Sequence, residues 1–336
     1  MKRILQEEFY EKNIFNAIKL SRVDIPIVNL NNNYHNNCFD KNIFIIQTND
    51  IKIYPDFFVE TSDGMFVEDF GHREQIEKNI KENLKVPNII DREIFLCGGH
   101  PNYCHWLLNW MPRLFLYEIA KLSCPVLMNK NLTAFHKDTL KTIFPNLKFE
   151  ILSISKPTIF TKAYIPSFFL NPQHSPFAIQ KIRSKVLFNT DYNFYDETFN
   201  KIYISRKNTI YGRILNEEEL IDFLKSEGYT VVCLEKMSLL EQAKVFFSAR
   251  NIVSPYGAGL ANLIFISPKC TIVEIRNNCF TKIFWSLASM LDCAHYRIWE
   301  GTSIFVKDAR FRDRQRNVSD IYVDLEKFKN ENKEFL

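Results

Sequence analysis

The 336-residue sequence lacks the features that are typical of zinc-binding, membrane-spanning, secreted or nucleic-acid-binding proteins. None of its eight cysteines forms a Cys-x-x-Cys pair, so we expect no zinc site and predict reduced, buried thiols. No run of about 18 uncharged apolar residues occurs, and polar residues interrupt positions 1–15, so neither a membrane span nor a signal peptide is expected. The formal net charge of +4 is too small for a dedicated nucleic-acid binder. We therefore expect a cytoplasmic protein with no nucleic-acid partner and no metal or other cofactor.

Length and composition indicate a folded protein of two domains. A hydrophobic content of 46% and 30 phenylalanines supply ample apolar area for a core. The length exceeds that of a typical single domain and suits two. A polar and aromatic stretch at 189–200 is typical of a linker. The sequence therefore predicts an N-terminal α/β domain over 1–190 and a C-terminal domain over 191–336.

The first half begins with short β-rich runs and continues with mixed elements. Apolar runs separated by turn-forming residues predict an antiparallel meander over 42–70, with one turn at 48–50. Trp106 and Trp110 belong to a helical apolar pattern that predicts a long helix over 102–122, and both are expected in the core. The other predicted elements are helices at 71–84, 133–144 and 175–188 and strands at 93–97, 125–128, 148–153 and 158–166.

The second half alternates single strands with single helices. Predicted strands lie at 201–205, 229–234, 251–254 and 271–275, and predicted helices lie at 216–227, 238–249 and 257–266. This alternation favours parallel crossovers and a doubly wound, mainly parallel sheet. Ligands of such sheets bind beyond the carboxyl ends of the strands, so the residues that follow these strands are the candidates for a binding site.

Two arginines follow the first of these strands. Arg206 comes directly after Ser205, Arg213 lies a few residues on, and Asn216 is expected to cap the next helix. Two guanidinium groups near helix N-termini would hold a diphosphate through charge-assisted hydrogen bonds without a metal. The alternative interpretation is a solvated loop.

A run of small residues follows the strand at 251–254. Tyr256 precedes Gly257-Ala258-Gly259, and Asn262 lies one turn further on. Without bulky side chains, a phosphate or ribose could approach backbone N–H groups at the start of a helix. Close packing of the helix on the strand would explain the glycines equally well.

One carboxylate interrupts the apolar strand at 271–275. Glu274 lies near the end of this strand, where acidic residues commonly accept hydrogen bonds from ribose hydroxyls. A structural ion pair with Arg276 or Arg297 is the alternative.

The ordered set of these motifs resembles glycosyltransferase family 61, the DUF563-type proteins, over about residues 94–275. That family includes plant xylosyltransferases, animal O-linked N-acetylglucosaminyltransferases and bacterial capsule-biosynthesis proteins. The matching residues are Asn102-Tyr103-Cys104-His105-Trp106-Leu107, Pro112-Arg113, Tyr203-Ile204-Ser205-Arg206, Arg213, Asn216-Glu217, Met237-Ser238-Leu239, Tyr256-Gly257-Ala258-Gly259-Leu260-Ala261-Asn262-Leu263 and Val273-Glu274-Ile275.

The resemblance implies a GT-B-like α/β fold in which two Rossmann-like domains face a cleft. It implies inverting, metal-independent transfer of a sugar from a nucleotide-sugar donor, usually a UDP-sugar, to a glycan or glycolipid acceptor in surface polysaccharide biosynthesis. The implied nucleotide and diphosphate residues are Ser205, Arg206, Arg213, Asn216, Tyr256, Gly257, Ala258, Gly259, Asn262 and Glu274.

The acceptor side is assigned to the start of the helix at 102–122. His105 is suited to proton transfer near neutral pH, and Asn102, Asn109 and Arg113 are expected beside it. A histidine bonded to backbone inside a Trp-rich interface is the alternative. Asn109 stands where the family usually has Asp, and Tyr256 stands where His commonly precedes Gly-Ala-Gly. An amide cannot accept a proton as a carboxylate does, so the catalytic base is left open.

Four arginines alternate with other residues near the end of the chain, at Arg310, Arg312, Arg314 and Arg316. In an extended strand they would share one face and could contact an anionic membrane surface or a lipid diphosphate. A solvated loop partly neutralised by Asp308 and Asp313 is the alternative.

Two other functions compete with sugar transfer. A non-catalytic GT-B-like binding protein is suggested by Asn109 and Tyr256. A dinucleotide-dependent oxidoreductase would also use a doubly wound sheet, but no Gly-x-Gly-x-x-Gly follows a first strand here.

Overall fold

The computed structural model describes most of the chain from residue 87 onward and short pieces before it. The described residues are 3–4, 17–19, 44–55, 57–60, 66–67, 87–129, 131–166, 175–188, 193–209, 212–277, 282–304 and 319–336. The helix predicted at 71–84 lies outside them. The α/β class with parallel strands is confirmed.

A nine-stranded sheet organises the first half. Its strands are β1 (Arg3–Ile4), β2 (Ala17–Lys19), β3 (Phe44–Ile53), β4 (Val59–Glu60), β5 (Phe66–Val67), β6 (Asn88–Gly98), β7 (Val126–Met128), β8 (Ile151–Leu152) and β9 (Thr158–Pro166). They lie in the order β1-β5-β4-β3-β9-β6-β7-β8, and β2 pairs with β3. Strands β9, β6, β7 and β8 are parallel to one another, whereas β3 runs antiparallel to β9. In the parallel part the chain moves outward through β6, β7 and β8 and returns to β9 on the other side of β6. The strand order therefore reverses between β6 and β9, and in sheets of this kind the ligand crevice usually lies beyond the carboxyl ends of such a pair.

The turn predicted at 48–50 is wrong. β3 continues through these residues and keeps one antiparallel register with β9 on both sides of Asp50. Asp50 adopts a φ of 52°, a left-handed conformation that Asp tolerates, without ending the strand. Long-range pairing with β9 thus overrides the local turn signal.

Helices connect and cover the strands of the first half. They are α1 (Tyr103–His105), which continues as a π-helical turn at Trp106–Trp110, α2 (Arg113–Ile119), α3 (Ala134–Ile143) and α4 (Pro176–Arg183), which continues as a π-helical turn at Ser184–Phe188. The long helix predicted at 102–122 is present as the α1 to α2 segment, interrupted by the π turn. Asn102 is its N-cap, because its side-chain oxygen accepts from the backbone N–H groups of Cys104 and His105.

A five-stranded, fully parallel sheet organises the second half. Its strands are β10 (Lys201–Ile204), β11 (Thr230–Val232), β12 (Asn251–Pro255), β13 (Thr271–Arg276) and β14 (His295–Glu300), in the order β11-β10-β12-β13-β14. The chain steps first to β11 on one side of β10 and then to β12 on the other. This doubly wound order reverses between β10 and β12, so their carboxyl ends flank the crevice where such sheets bind ligands.

The remaining elements of the second half follow the predicted alternation. They are α5 (Glu217–Ser226), α6 (Leu239–Ser248), α7 (Ile283–Ser289), α8 (Leu325–Asn332), 3-10 helices at Glu197–Phe199, Leu234–Lys236 and Ala258–Phe265, and the antiparallel pair β15 (Thr302–Ile304) and β16 (Asp320–Tyr322). The helix predicted after Gly257 is present but has the tighter 3-10 form, which begins with a bond from Leu260 N to Gly257 O.

The two halves share one core. A single cluster of buried side chains runs from Phe95 and Trp106 in the first half to Ile202, Phe265 and Leu287 in the second. The domain division at 190 stays a prediction, although all described strands of the large sheet precede it and those of the parallel sheet follow it.

The six cysteines in the described part of the chain are unpaired, and Cys97, Cys104, Cys124 and Cys270 are buried, as predicted. Within the same residues, the helices are too short or too polar to cross a membrane.

Candidate functional site

The guanidinium of Arg206 lies directly on Gly257 at the point where the parallel sheet reverses its order. Arg206 follows β10, and Gly257 follows β12. A Cβ atom added to Gly257 would lie 1.6 Å from Arg206 Nη1, and one added to Gly212 would lie 3.6 Å from Nη2. Gly257 has a φ of 171°, which any residue adopts, so the guanidinium and not the backbone conformation requires glycine here. The fold thus joins two of the sequence motifs, 51 positions apart, into one place.

A buried carboxylate fixes the backbone at Arg206. Glu217, at the start of α5, is 7% exposed. Its Oε1 accepts from the backbone N–H of Arg206 at 3.1 Å and from the hydroxyl of Tyr203 at 2.9 Å. Ser205 is buried between these residues, and its N–H pairs with Val232 O at 2.9 Å. Glu217 was part of the quoted motif but was not assigned a site role, because its partners become visible only in the fold.

Arg213 and Asn216 bind the segment that carries β16. Arg213 Nη2 donates to Asp320 Oδ2 at 2.7 Å, and Arg213 N donates to Asp320 Oδ1 at 3.0 Å. The Asp320 hydrogen bond raises the pKa of Arg213. Asn216 occupies the predicted N-cap position of α5, but its side chain makes no capping hydrogen bond. Its amide instead exchanges two hydrogen bonds with the backbone of Val323, at 2.8 and 3.0 Å.

Glu274 forms a buried ion pair, as the structural alternative proposed. Its Oε1 accepts from Arg276 Nε at 2.6 Å, and its Oε2 accepts from the hydroxyl of Tyr296. Glu274 is 0% exposed, and burial raises its pKa although Arg276 opposes the shift. The carboxylate reaches no open surface in this arrangement, so it supports the end of β13 from within.

Tyr256 and the three small residues after it form a half-exposed strip beyond β12. The Tyr256 ring packs 5.4 Å from the ring of Phe284 and 5.8 Å from the guanidinium carbon of Arg276. Gly259 packs against the core, since a Cβ there would lie 2.8 Å from Leu234 Cδ1. The two glycines therefore have different roles. Gly257 leaves room for the Arg206 guanidinium, and Gly259 allows the 3-10 helix to pack closely against the core.

Asn262 and Arg183 hold the 3-10 helix from both ends. Asn262 is 0% exposed and donates to Gly259 O at 3.1 Å. Arg183 Nη1 donates to the carbonyls of Ile264 and Ile266, where a cation suits a helix C-terminus. Burial lowers the pKa of Arg183 to about 10. No local pattern in the sequence pointed to Arg183.

The candidate acceptor side lies beyond the carboxyl end of β6. His105 is half-buried, its ring is 4.6 Å from the ring of His100, and its Nδ1 lies 3.3 Å from Asn109 Oδ1. Asn109 is 6% exposed, one turn after His105. Asn102 starts this helix through the cap described above. These residues follow the carboxyl end of β6, one of the two strands between which the order of the first sheet reverses.

Arg113 is buried near the end of the same strand. Its Nη1 donates to Cys97 O at 2.7 Å, and its guanidinium carbon lies 3.8 Å from the centre of the Trp110 ring. Trp110 in turn covers Gly98, where a Cβ would lie 2.0 Å from the indole. At 3% exposed, Arg113 braces the end of β6 and does not line the open crevice. Trp106 is fully buried, which confirms its prediction as core, and Trp110 is half-buried.

Comparison with family models identifies the chain. The model described as Glycosyltransferase 61 matches residues 103–273, just over half of the sequence. This chain belongs to glycosyltransferase family 61. The matched range begins at Tyr103 and ends at Val273, so it contains the helix that carries His105 and both Arg206 and Gly257. A search of curated proteins found no match.

Two solved structures are similar to this member of the family at a low level. Both are of TibC, described as a dodecameric iron-containing heptosyltransferase in complex with ADP-D-beta-D-heptose and as a glycosyltransferase from enterotoxigenic E. coli H10407. Each is 14% identical, with TM-scores of 0.31 and 0.32, and each match covers 67% of this chain and 65% of that chain. The match thus spans less than two thirds of TibC. This likeness is too low to transfer a substrate, a cofactor or a domain arrangement.

Two sequence predictions stay untested. Arg310, Arg312, Arg314 and Arg316 lie outside the described residues. Over the described ranges, no group of three or more His, Cys, Asp or Glu side chains could hold a metal ion. Transfer without a metal stays a prediction.

Proposed function

We propose that this chain transfers a sugar, with inversion, from a nucleotide-sugar donor to a glycan or glycolipid acceptor. Membership of the glycosyltransferase family supports the reaction class. One observation carries the assignment of the donor site, namely the guanidinium of Arg206 seated on Gly257 between β10 and β12. A cation at the reversal point of a doubly wound sheet suits an anionic nucleotide.

Arg206 and the strip after β12 form the proposed diphosphate site. The guanidinium offers a planar set of donors that matches phosphate oxygens. The backbone N–H groups of Gly257, Ala258 and Gly259 begin a helix, so they add donors and a positive helix end. Ser205 lies buried directly before Arg206, and the half-exposed Tyr256 completes the site, where its phenol supplies a hydrogen bond in place of the usual imidazole.

Four residues of the implied donor set enter the proposal with indirect roles. Arg213 pairs with Asp320 and so supports the segment that carries β16. Asn216, Asn262 and Glu274 are occupied by protein partners and shape the site from behind. Arg113 shapes the acceptor side in the same way.

His105 is the proposed base for the acceptor hydroxyl. We assign the proton of the neutral imidazole to Nδ1, which faces the amide oxygen of Asn109, so that the lone pair of the base lies on Nε2. Asn109 then orients the base and does not act as one, because an amide does not accept the proton. The family's carboxylate at this position would also stabilise the imidazolium, which an amide does less well.

The proposed reaction forms one bond and breaks one bond. His105 takes the proton of the acceptor hydroxyl, and the oxygen attacks the anomeric carbon from the face opposite the diphosphate. The bond from that carbon to the diphosphate oxygen breaks, and the electron pair leaves with the nucleoside diphosphate. Arg206 and the amides after Tyr256 stabilise the charge that develops there.

The wider setting is proposed from the family resemblance. A UDP-sugar is the proposed donor, and surface polysaccharide is the proposed product. We place the reaction in the cytoplasm, with the four arginines at 310–316 as the proposed contact with anionic membrane lipids.

A binding protein without catalytic activity is the second candidate. The observation that favours it is Asn109, a buried amide beside His105 where the family usually has a carboxylate. Such a protein would bind nucleotide sugars through Arg206 and leave them intact.

A panel of nucleotide sugars tests the proposal and separates the two candidates. We expect thermal stabilisation of the purified protein by at least one donor and slow release of its nucleoside diphosphate, unchanged by EDTA. Stabilisation without release, with all acceptors tried, would favour the binding protein. No stabilisation and no release with any donor would refute both, whereas loss of release in EDTA would refute only the metal-free mechanism.

A further inference from the structure

Asn262 lies buried at the boundary between the two halves of the chain and bonds to three elements. Its Oδ1 accepts from the hydroxyl of Tyr103 at 2.7 Å. Its Nδ2 donates to Gln242 Oε1 at 2.7 Å and to Gly259 O at 3.1 Å. The Tyr103 bond joins residues 159 positions apart. The oxygen and both hydrogens of the amide are therefore engaged by protein groups.

The Tyr103 end of this chain of bonds leads to the proposed base. Tyr103 is the first residue of α1, and His105 is the last. Both follow Asn102, whose side chain accepts from the N–H groups of Cys104 and His105 at 2.9 and 3.4 Å. Burial raises the pKa of the Tyr103 phenol, so its hydroxyl stays protonated and donates to Asn262. The ring is held edge-on against Phe135 at 5.7 Å.

The Asn262 end leads to the proposed diphosphate site. Asn262 holds the carbonyl of Gly259, two residues after the glycine that seats Arg206. Gln242 is itself fixed, since its Nε2 donates to Met237 O at 2.9 Å. A second bond crosses the same boundary nearby, from Leu239 N to Asp138 Oδ2 at 2.6 Å.

We propose that Tyr103, Asn262 and Gln242 form a latch, three positioning residues that fix the distance between the base on α1 and the diphosphate strip after β12. This inference rests on the proposed function. The latch contacts neither substrate and acts through the two segments that it ties together. It gives a role to the tyrosine and the asparagine that bond to each other from the two motifs.

Sugar transfer requires the base and the diphosphate strip to be held at a fixed distance from each other. The acceptor oxygen has to meet the anomeric carbon in line with the departing diphosphate, and the base and the donor strip lie in different halves of the chain. Misplacement of reacting groups by about 1 Å is enough to cost about 100-fold in rate. Nucleotide binding uses one half only, so it tolerates a loosened boundary.

The variant Tyr103→Phe removes one hydroxyl and leaves the ring in place. Tyr117→Phe is the control, because Tyr117 is a buried tyrosine of the same half whose hydroxyl donates to Cys124 O at 2.8 Å, within one half of the chain. Each variant would be measured for Tm, for UDP affinity by calorimetry, and for kcat and KM of sugar transfer with the donor found active in the panel.

We expect similar losses of Tm in the two variants and UDP affinities within about twofold of wild type. Only Tyr103→Phe should lower kcat, by about tenfold or more, with little change in the donor KM. A kcat of Tyr103→Phe equal to that of Tyr117→Phe would overturn the latch and leave the proposed function standing. A wild-type protein that neither binds UDP nor transfers any sugar would instead overturn the proposed function.

A second measurement does not depend on turnover. The imidazole proton resonances of His105, identified by their absence in His105→Ala, would be followed by NMR while UDP is added. We expect UDP to shift them in the wild type and in Tyr117→Phe but not in Tyr103→Phe. An equal shift in all three proteins would overturn the latch.

Discussion

Substitution of Gly257 by alanine adds one methyl group at the place where the Arg206 guanidinium lies. It tests whether the guanidinium binds the diphosphate from this position. The added Cβ would lie 1.6 Å from Arg206 Nη1 and 2.7 Å from Cζ, whereas ordinary contacts begin at 3.4 Å. The guanidinium therefore has to move by about 2 Å. The backbone itself accepts alanine, since the φ of Gly257 is 171°. We expect the protein to fold with a Tm close to that of the wild type.

The expected loss is in nucleotide affinity. A hydrogen bond to a charged group contributes about 1.5–3 kcal/mol, and each 1.4 kcal/mol corresponds to about tenfold, so UDP affinity should fall by about 10- to 100-fold. Isothermal titration of wild type, Gly257→Ala, Arg206→Ala and the double variant measures this directly. Because the methyl group acts through Arg206, the double variant should bind no more weakly than Arg206→Ala alone.

Two results would refute this reasoning. A UDP affinity of Gly257→Ala equal to that of the wild type would mean that the Arg206 guanidinium does not bind the diphosphate from its position on Gly257. Fully additive losses in the double variant would mean that Gly257 acts on the nucleotide independently of Arg206.

Three further substitutions test the acceptor side and the fold. His105→Ala should abolish sugar transfer and keep UDP affinity within about twofold, and parallel loss of both would remove His105 from the role of base. Asn109→Asp places a carboxylate beside His105 Nδ1, which favours the imidazolium, so the acid limb of the kcat profile should move to higher pH; an unchanged limb would show that Asn109 does not orient the base. Buried His136 has its pKa lowered from 6.5 mainly by desolvation, and its Nδ1 accepts from Thr133. The unfolded chain therefore binds more protons below pH 6.5, and stability should fall there by at most about 1.4 kcal/mol per pH unit. The free energy of unfolding, measured by chemical denaturation across this pH range, should fall less steeply in His136→Gln than in the wild type. Equal slopes in the two proteins would contradict this effect of His136.

The alternation of strands and helices in the second half could be predicted from the sequence because short-range residue patterns specify it. The strand predicted at 201–205 is present at Lys201–Ile204, and the helix predicted at 238–249 is present at Leu239–Ser248. The motif after β12 was placed correctly at a strand end. Apolar runs and capping residues specify such elements locally.

The order of the strands and the partners of buried polar groups could not be predicted in this way. Nothing local shows that β10 and β12 are neighbours, so the contact between Arg206 and Gly257 emerged only in the fold. Asp320 lies 107 positions from Arg213, and the pairing of Glu274 with Arg276 was one of two alternatives. The turn predicted at 48–50 failed because pairing with β9 outweighs a local propensity.

On the acceptor side, too, the local elements could be predicted from the sequence, whereas the contacts between side chains could not. The sequence placed His105 at a helix start after a strand, and the structure agrees. The π turn that follows, the cap by Asn102 and the proximity of Asn109 to His105 depend on three-dimensional geometry. The roles assigned to these residues stay predictions until the variants are measured.

The central claim is that a nucleoside diphosphate binds where Arg206 lies on Gly257, and a crystal structure of the protein with UDP at saturating concentration tests it most directly. We predict that the diphosphate lies within hydrogen-bond distance of the Arg206 guanidinium and of the backbone N–H groups of Gly257 to Gly259. A UDP molecule bound elsewhere, or a crevice between β10 and β12 that stays empty at saturation, would contradict the account.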